Sequence, residues 1–168
     1  LMHQQLGEEH VHEIQRKQQE GSAISASRVR KAMMEGCLWD AIQLVPPTTI
    51  PYIIGHLASM ALQAELDTTP KPGLVDRNDN GAHRDMDHAL MQRSIQALHP
   101  YFVRLAQLGF TDKQPCHDEI VNIGIEAERE MFKATGGVNT HKGALFSIGL
   151  AAVALAGEAF CRITQAEG

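Results

Sequence analysis

Apolar residues recur with the spacing of an α-helix along most of the chain, and no apolar-polar alternation is long enough to predict a strand. The clearest helix follows Pro46 and Pro47, which end a short upstream helix, and Thr48 or Thr49 would cap it. We therefore predict an all-α fold, a helical bundle. The apolar stripe of this helix contains Ile50, Ile53, Ile54, Leu57, Ala61 and Leu62.

The same spacing predicts later helices at about residues 86–98 and 119–132. Pro100 is expected to break or kink the first of these before a further helical stretch at 101–108. Residues 143–157 are apolar, but they are fewer than the ~20 that a membrane span needs. We predict a buried helix here and no membrane association.

Two long loops interrupt the bundle, at residues 67–85 and 133–142, and together they are rich in Gly, Asn, Asp, His and Lys. Loops of this length inside a helical domain are often functional. The Pro-Pro-Thr-Thr stretch is the best boundary between two regions, 1–47 and 48–168.

Charge and cysteine content restrict the partners, the cysteine chemistry and the location that we expect for the protein. The 168 residues carry a formal net charge of -5, which disfavours nucleic acid as a partner. Cys37, Cys116 and Cys161 are far apart in the sequence, so neither a disulfide framework nor a zinc site is indicated. A cytoplasmic location is expected.

The first loop combines cations, carboxylates and a histidine. Mg²⁺ bound to a polyphosphate takes one or two carboxylates and shares its other positions with phosphate oxygens, so this mixture suits such a ligand. Acidic residues that cap the next helix on a solvated loop would give the same composition. The residues concerned are Lys71, Asp76, Arg77, Asp79, His83, Asp85 and Asp87.

The second loop pairs Gly136 and Gly137 with Asn139, His141 and Lys142 just before a helix. Exposed backbone N–H groups, a cation and a helix start together favour an anion. A helix C-cap followed by a turn is the simpler alternative.

A third polar cluster lies near the amino terminus. Ser25, Ser27 and Arg30 place hydroxyls and a guanidinium at the start of a helix, an arrangement that suits a phosphate. An ordinary N-cap with a solvated basic face would look the same.

Two sequence blocks carry a family resemblance. TTPKPGLVDRNDNGAHRDMD at 68–87 and MFKATGGVNTHKGALFSIGL at 131–150 closely resemble the triphosphoribosyl-dephospho-CoA synthase family, which prepares the prosthetic group of citrate lyase and of malonate decarboxylase. The resemblance covers about residues 53–157. It implies an all-helical enzyme that transfers the triphosphoribosyl part of ATP to 3'-dephospho-CoA and releases adenine.

The resemblance also implies roles for the loop residues. Mg²⁺ would bind Asp85 and Asp87, while His83 or Asp76 would act as base for the acceptor hydroxyl or as acid for the departing adenine. The phosphates and the nucleotide would contact Lys71, Arg77, Gly136, Gly137, Asn139, His141 and Lys142.

The stretch at 21–53 resembles instead the carboxy-terminal end of citrate lyase ligase, and Ser25, Ser27 and Arg30 fit its phosphate-binding element. A fusion of two citrate lyase maturation enzymes is therefore expected. The alternatives are a ligase remnant and a non-catalytic nucleotide-binding fragment. Expected partners are ATP, 3'-dephospho-CoA, citrate lyase maturation proteins, and either a second copy of the chain or further helices of a longer parent chain.

Overall fold

The structure is a computed structural model that describes residues 18–19, 22–111 and 114–166. The chain separates into two compact units, Leu1–Pro46 and Pro47–Gly168. The predicted all-α class is confirmed, because among the described residues the strands are a single two-residue pair.

The first unit contains this strand pair and two short helices. β1 (Gln18–Gln19) and β2 (Ser22–Ala23) run antiparallel, with Gln18 opposite Ala23. They precede α1 (Ala26–Met34) and α2 (Leu38–Gln43), which pack against each other.

Four longer helices form the second unit, after a 3-10 turn at Pro47–Thr49. Helix α4 lies at the centre and contacts the other three. Its bounds and those of its neighbours are α3 (Ile50–Asp67), α4 (His88–Gly109), α5 (His117–Ala134) and α6 (Lys142–Ala166).

The core of this unit lies where α3, α4, α5 and α6 meet. Leu66, Leu98, Phe102 and Met131 are fully buried there. Val75, from the first loop, belongs to the same cluster, so that loop is anchored in the core.

The predicted apolar stripe of α3 is correct for Ile50, Ile53, Ile54 and Leu62, which are buried. Ala61 is exposed instead, and Ala58 and Leu66 take the inward positions, because the buried face follows α4 along the whole helix.

Pro100 does not end α4, contrary to the predicted break. The helix runs uninterrupted through it. A proline inside a helix costs ~3 kcal/mol, since it removes one backbone hydrogen bond. Burial of Leu98 and Phe102 on either side offsets that cost.

Helix α6 is buried on one face only. Leu145, Ala152, Ala156 and Ala159 face inward, whereas 72% of Phe146 and 41% of Leu150 are exposed. The prediction of a buried helix is therefore wrong for the outer face. By length and composition alone this helix could cross a membrane, which is weak evidence, because core helices of soluble proteins meet the same criterion.

Candidate functional site

The carboxylate of Asp76 organises the first loop. It is only 4% exposed. It accepts hydrogen bonds from Thr69 Oγ1 at 2.7 Å and from the backbone N–H groups of Lys71, Asn78 and Asp79 at 3.1, 2.7 and 3.0 Å. One side chain thus ties four other residues of the loop together.

These donors also set the charge of Asp76. The Thr69 hydroxyl and the backbone N–H groups of Asn78 and Asp79 hold the pKa of its carboxyl well below the usual range. A carboxylate with so low a pKa and so many donors is a weak base. His83 is partly exposed and makes no side-chain hydrogen bond within the described residues, and the catalytic roles of both residues stay predictions.

Arg77 is held by a carboxylate on the preceding helix. Its Nε and Nη2 atoms donate to Asp67 Oδ1 at 3.0 Å and Oδ2 at 2.7 Å, and His88 Nε2 lies 2.8 Å from Oδ1. The Arg77 guanidinium, followed by His88, holds the pKa of Asp67 well below its usual range. The carboxylate therefore stays ionised and aims the half-exposed guanidinium.

Lys71 is paired in the same way but lies deeper. Its Nζ donates to the Glu65 carbonyl oxygen at 2.8 Å and to Glu65 Oε1 at 2.9 Å, and its side chain is only 11% exposed. The end of α3 thus supplies a carboxylate for both Lys71 and Arg77.

The two predicted metal ligands lie at the end of the first loop. Asp87 caps α4 by accepting from the Leu90 N–H at 2.7 Å, and Asp85 is exposed. Within the described ranges no group of three or more His, Cys, Asp or Glu could hold a metal alone. Mg²⁺ that brings its own phosphate ligands needs only one or two carboxylates, which this pair could supply.

The second loop begins as a helix C-cap, the simpler alternative that its sequence allowed. Gly136 and Gly137 have φ of 65° and 92°, and the Gly137 N–H donates to the Phe132 carbonyl at 2.7 Å. A Cβ at either glycine would meet nothing within 4 Å, so the turn is open on its outer side.

His141 lies beneath this turn and contacts α4. It is 5% exposed, its Nδ1 lies 2.9 Å from Ser94 Oγ, and Thr140 Oγ1 donates to the same oxygen at 2.7 Å. Burial lowers the pKa of His141, and the charges of Glu65 and Lys71 act on it in opposite directions. The buried side of the second loop thus lies close to the Lys71–Glu65 pair of the first.

Lys142 points to a different neighbour. Its Nζ donates to Glu128 Oε1 on α5 at 2.7 Å, and its backbone N–H donates to Asn139 Oδ1 at 3.3 Å. The ammonium group is half-exposed and borders an apolar groove of about 210 Å³ between α4, α5 and α6. Because Asn139 Oδ1 accepts the backbone N–H of Lys142, Asn139 has a structural role at the start of α6.

The polar cluster of the first unit is an ordinary helix start. Ser25 is extended, with φ of -138°, and accepts from the Arg28 N–H at 3.3 Å. Ser27 and Arg30 are exposed on the helix that follows.

Several residues of the site were not predicted: Ser94, Glu65, Asp67, His88 and Glu128. Glu65, Asp67, Ser94 and Glu128 lie on helices, and each contacts a residue of the two predicted loops that is 6 to 47 positions away. His88, also on a helix, contacts Asp67. No local sequence signal distinguishes them from ordinary helix residues.

Comparison with known proteins identifies the family of this chain. Residues 51–167 match the family described as ATP:dephospho-CoA triphosphoribosyl transferase, and this chain belongs to that family. Residues 1–53 match a second description, the citrate lyase ligase C-terminal domain. The predicted resemblance to both is confirmed.

Three relatives illustrate the similarity. The probable 2-(5''-triphosphoribosyl)-3'-dephosphocoenzyme-A synthase of Pectobacterium carotovorum is 48% identical over 119 residues, which are 67% of this chain and 39% of the relative. The synthase of Escherichia fergusonii is 47% identical over 102 residues, 58% of this chain and 33% of the relative. The synthase of Klebsiella pneumoniae is 44% identical over 107 residues, which are 61% of this chain and 38% of the relative.

The chain therefore spans little more than a third of the length of the curated relatives it matches. No solved structure matches it.

Proposed function

We propose that this chain carries the triphosphate-binding part of a triphosphoribosyl-dephospho-CoA synthase. In that reaction the bond between C1' of the ATP ribose and adenine breaks. A new bond forms between C1' and the 2'-hydroxyl oxygen of 3'-dephospho-CoA. The hydroxyl proton leaves to a base, and adenine departs after taking up a proton.

The observation that carries the proposal is the meeting of the two family blocks at one end of the bundle. Val75 of the block at 68–87 belongs to one buried cluster with Met131 and Leu145 of the block at 131–150. Lys71 lies in the first of these blocks and His141 in the second. A nucleotide bound by both blocks would lie at this junction.

Each proposed phosphate-binding cation already has a carboxylate partner. Lys71 pairs with Glu65, Arg77 with Asp67, and Lys142 with Glu128. These pairs orient the cations, and the half-exposed Arg77 and Lys142 keep donors available for phosphate oxygens. The turn at Gly136 and Gly137, whose Gly137 N–H already donates to the Phe132 carbonyl, and the polar groups of Asn139 and His141 complete the proposed contacts.

Mg²⁺ is the proposed metal, carried in with ATP and held by Asp85 and Asp87. Their position before α4 leaves both carboxylates on the surface. Asp87 would have to share its oxygens between the metal and the Leu90 N–H. His83 or Asp76 is proposed for proton transfer, and the weak basicity of Asp76 favours His83.

The proposed setting is the bacterial cytoplasm, with neither nucleic acid nor a membrane as partner. Further helices are proposed to cover the outer face of α6, where Phe146 is exposed. They would come from a longer parent chain or from a second copy, since the relatives are much longer than this chain. Citrate lyase maturation proteins are the proposed functional partners.

Incubation of the chain with Mg-ATP and 3'-dephospho-CoA tests the proposal. Free adenine and the triphosphoribosylated product, detected by mass spectrometry, are the expected result. Asp85→Asn with Asp87→Asn should weaken Mg-ATP binding, by about 10-fold for two lost charged contacts. Helix content should hardly change, because Asn caps helices as well as Asp does. Unaltered affinity by calorimetry would remove these two residues from the metal site.

A second candidate function rests on the match of residues 1–53 to the ligase domain. A ligase remnant should convert ATP to AMP when acetate is supplied. ATP binding without AMP, adenine or product would instead favour a non-catalytic nucleotide-binding fragment.

A further inference from the structure

One buried polar atom at the junction of the two loops has no partner. His141 Nε2 is shielded from solvent and makes no hydrogen bond within the part of the chain that the structure describes. An unsatisfied buried donor or acceptor costs ~1–3 kcal/mol, so such atoms in a folded protein need an explanation.

The hydrogen-bond chain on the other side of the ring favours one tautomer of His141. With Thr140 Oγ1 as donor to Ser94 Oγ, Ser94 gives its own single proton to His141 Nδ1, which lies 2.9 Å away. A neutral imidazole that accepts at Nδ1 carries its proton at Nε2.

We propose that Ser94 is a positioning residue that fixes the Nε2–H tautomer of His141, so that Nε2–H donates to a triphosphate oxygen of the nucleotide. This inference rests on the proposed function for the identity of the ligand. Of the ion pair that acts on His141, Lys71 favours an anionic oxygen as the acceptor and Glu65 opposes one.

A ligand oxygen reaches Nε2 only after the groups that cover it have moved. The turn that precedes His141, at Gly136 and Gly137, is open on its outer side, and nucleotide binding would supply the acceptor that the buried donor lacks.

Histidine nitrogen NMR on the full chain tests the tautomer without any ligand. In the wild type we expect His141 to be protonated at Nε2 and unprotonated at Nδ1. Ser94→Ala should give a mixture of the two tautomers. The matched control is Ser147→Ala, which removes a hydroxyl bonded only within α6 and should leave the His141 signals unchanged. Protonation at Nδ1 in the wild type would overturn the inference.

Titration with tripolyphosphate, ATP and adenosine tests the ligand. The Nε2–H signal should shift with the first two and not with adenosine. His141→Gln keeps an amide N–H near the Nε2 position, whereas His141→Asn keeps one only near Nδ1. We expect the Asn variant to lose about 10-fold in tripolyphosphate affinity and the Gln variant to lose much less.

The outcomes separate this inference from the proposed function. If product forms in the synthase assay but the Nε2–H signal of His141 does not shift with tripolyphosphate, only the inference is overturned. The Nε2 atom would then be satisfied by buried water. Absence of product together with a shifted signal would contradict the proposed function and leave the inference standing. Absence of any binding would overturn both.

Discussion

At the scale of single residues, the site depends on carboxylates that hold the first loop and its cations in place. Asp76 holds the first loop through four donors, and Asp67 holds Arg77. Both remain ionised because those donors stabilise the charged form. The loop cations are therefore presented in fixed positions before any ligand arrives.

In the Asp76→Asn variant the first loop should unfold more easily than it does in the wild type. An amide offers one acceptor oxygen where the carboxylate offers two, and its NH₂ group would face backbone N–H donors. We expect a melting temperature several degrees lower. Asp85→Asn, at an exposed aspartate of the same loop, is the matched control and should hardly change it. Equal melting temperatures for the two variants would contradict the structural role of Asp76.

The pH dependence of stability follows from the same contacts. A group whose pKa is depressed by folding stabilises the protein above its unfolded pKa, ~3.9 for Asp. This contribution is lost as the pH falls through the folded value. The wild type should therefore lose stability below about pH 4, and Asp76→Asn should show a shallower decline. If the free energies of unfolding of the two proteins fell equally with decreasing pH, the result would argue against a depressed pKa of Asp76.

At the scale of helices, small residues allow close packing around α4. A Cβ built on Gly55 of α3 would lie 2.7 Å from the backbone N and Cα of Val103, and one on Gly109 would overlap the Val153 carbonyl of α6. Since backbone atoms move less readily than side-chain ends, larger residues at these two positions would force the helices apart.

Gly55→Ala should therefore destabilise the second unit by about 1–3 kcal/mol, the usual cost of overpacking. Gly124→Ala is the matched control, because a Cβ there meets nothing within 4 Å and α5 gains helix propensity. We expect the control to be neutral or stabilised by up to ~1 kcal/mol. Denaturant unfolding measures both, and a stable Gly55→Ala variant would contradict the close approach of α3 and α4.

The helical pattern in the sequence predicted the helices of the bundle and the two loops between them, because apolar periodicity reports the buried face directly. It failed at Pro100, where packing on both sides outweighs the local penalty. It also failed to separate the two faces of α6, which are equally apolar: Leu145 is buried, and the adjacent Phe146 is not.

The chemistry of the loops was predicted as a set of residue types, without their partners. Lys71, Arg77 and Lys142 were recognised as cations in the right loops. Their pairing with Glu65, Asp67 and Glu128 depends on tertiary contacts that spacing does not encode. The burial of His141 against Ser94, 47 residues away, is a contact of the same kind.

At the scale of the whole molecule, the second unit has a complete inner core and an exposed apolar outer face. Val121, Ile125, Phe146 and Leu150 line the groove between α5 and α6 together with the stem of Lys142. Exposed apolar clusters of this kind commonly mark protein contacts. The matched part is 39% and 33% of the length of two of the relatives.

The central claim is that the two family loops form one triphosphate site, and calorimetric titration with Mg-ATP and with adenosine tests it most directly. Lys142→Ala should lose about 10-fold in affinity for Mg-ATP and almost none for adenosine, because the lost contact is to a phosphate. Arg104→Ala is the matched control, since Arg104 also pairs with an α5 glutamate, Glu126, but lies outside both loops. Equal losses for the two ligands, or equal losses in the two variants, would contradict the claim.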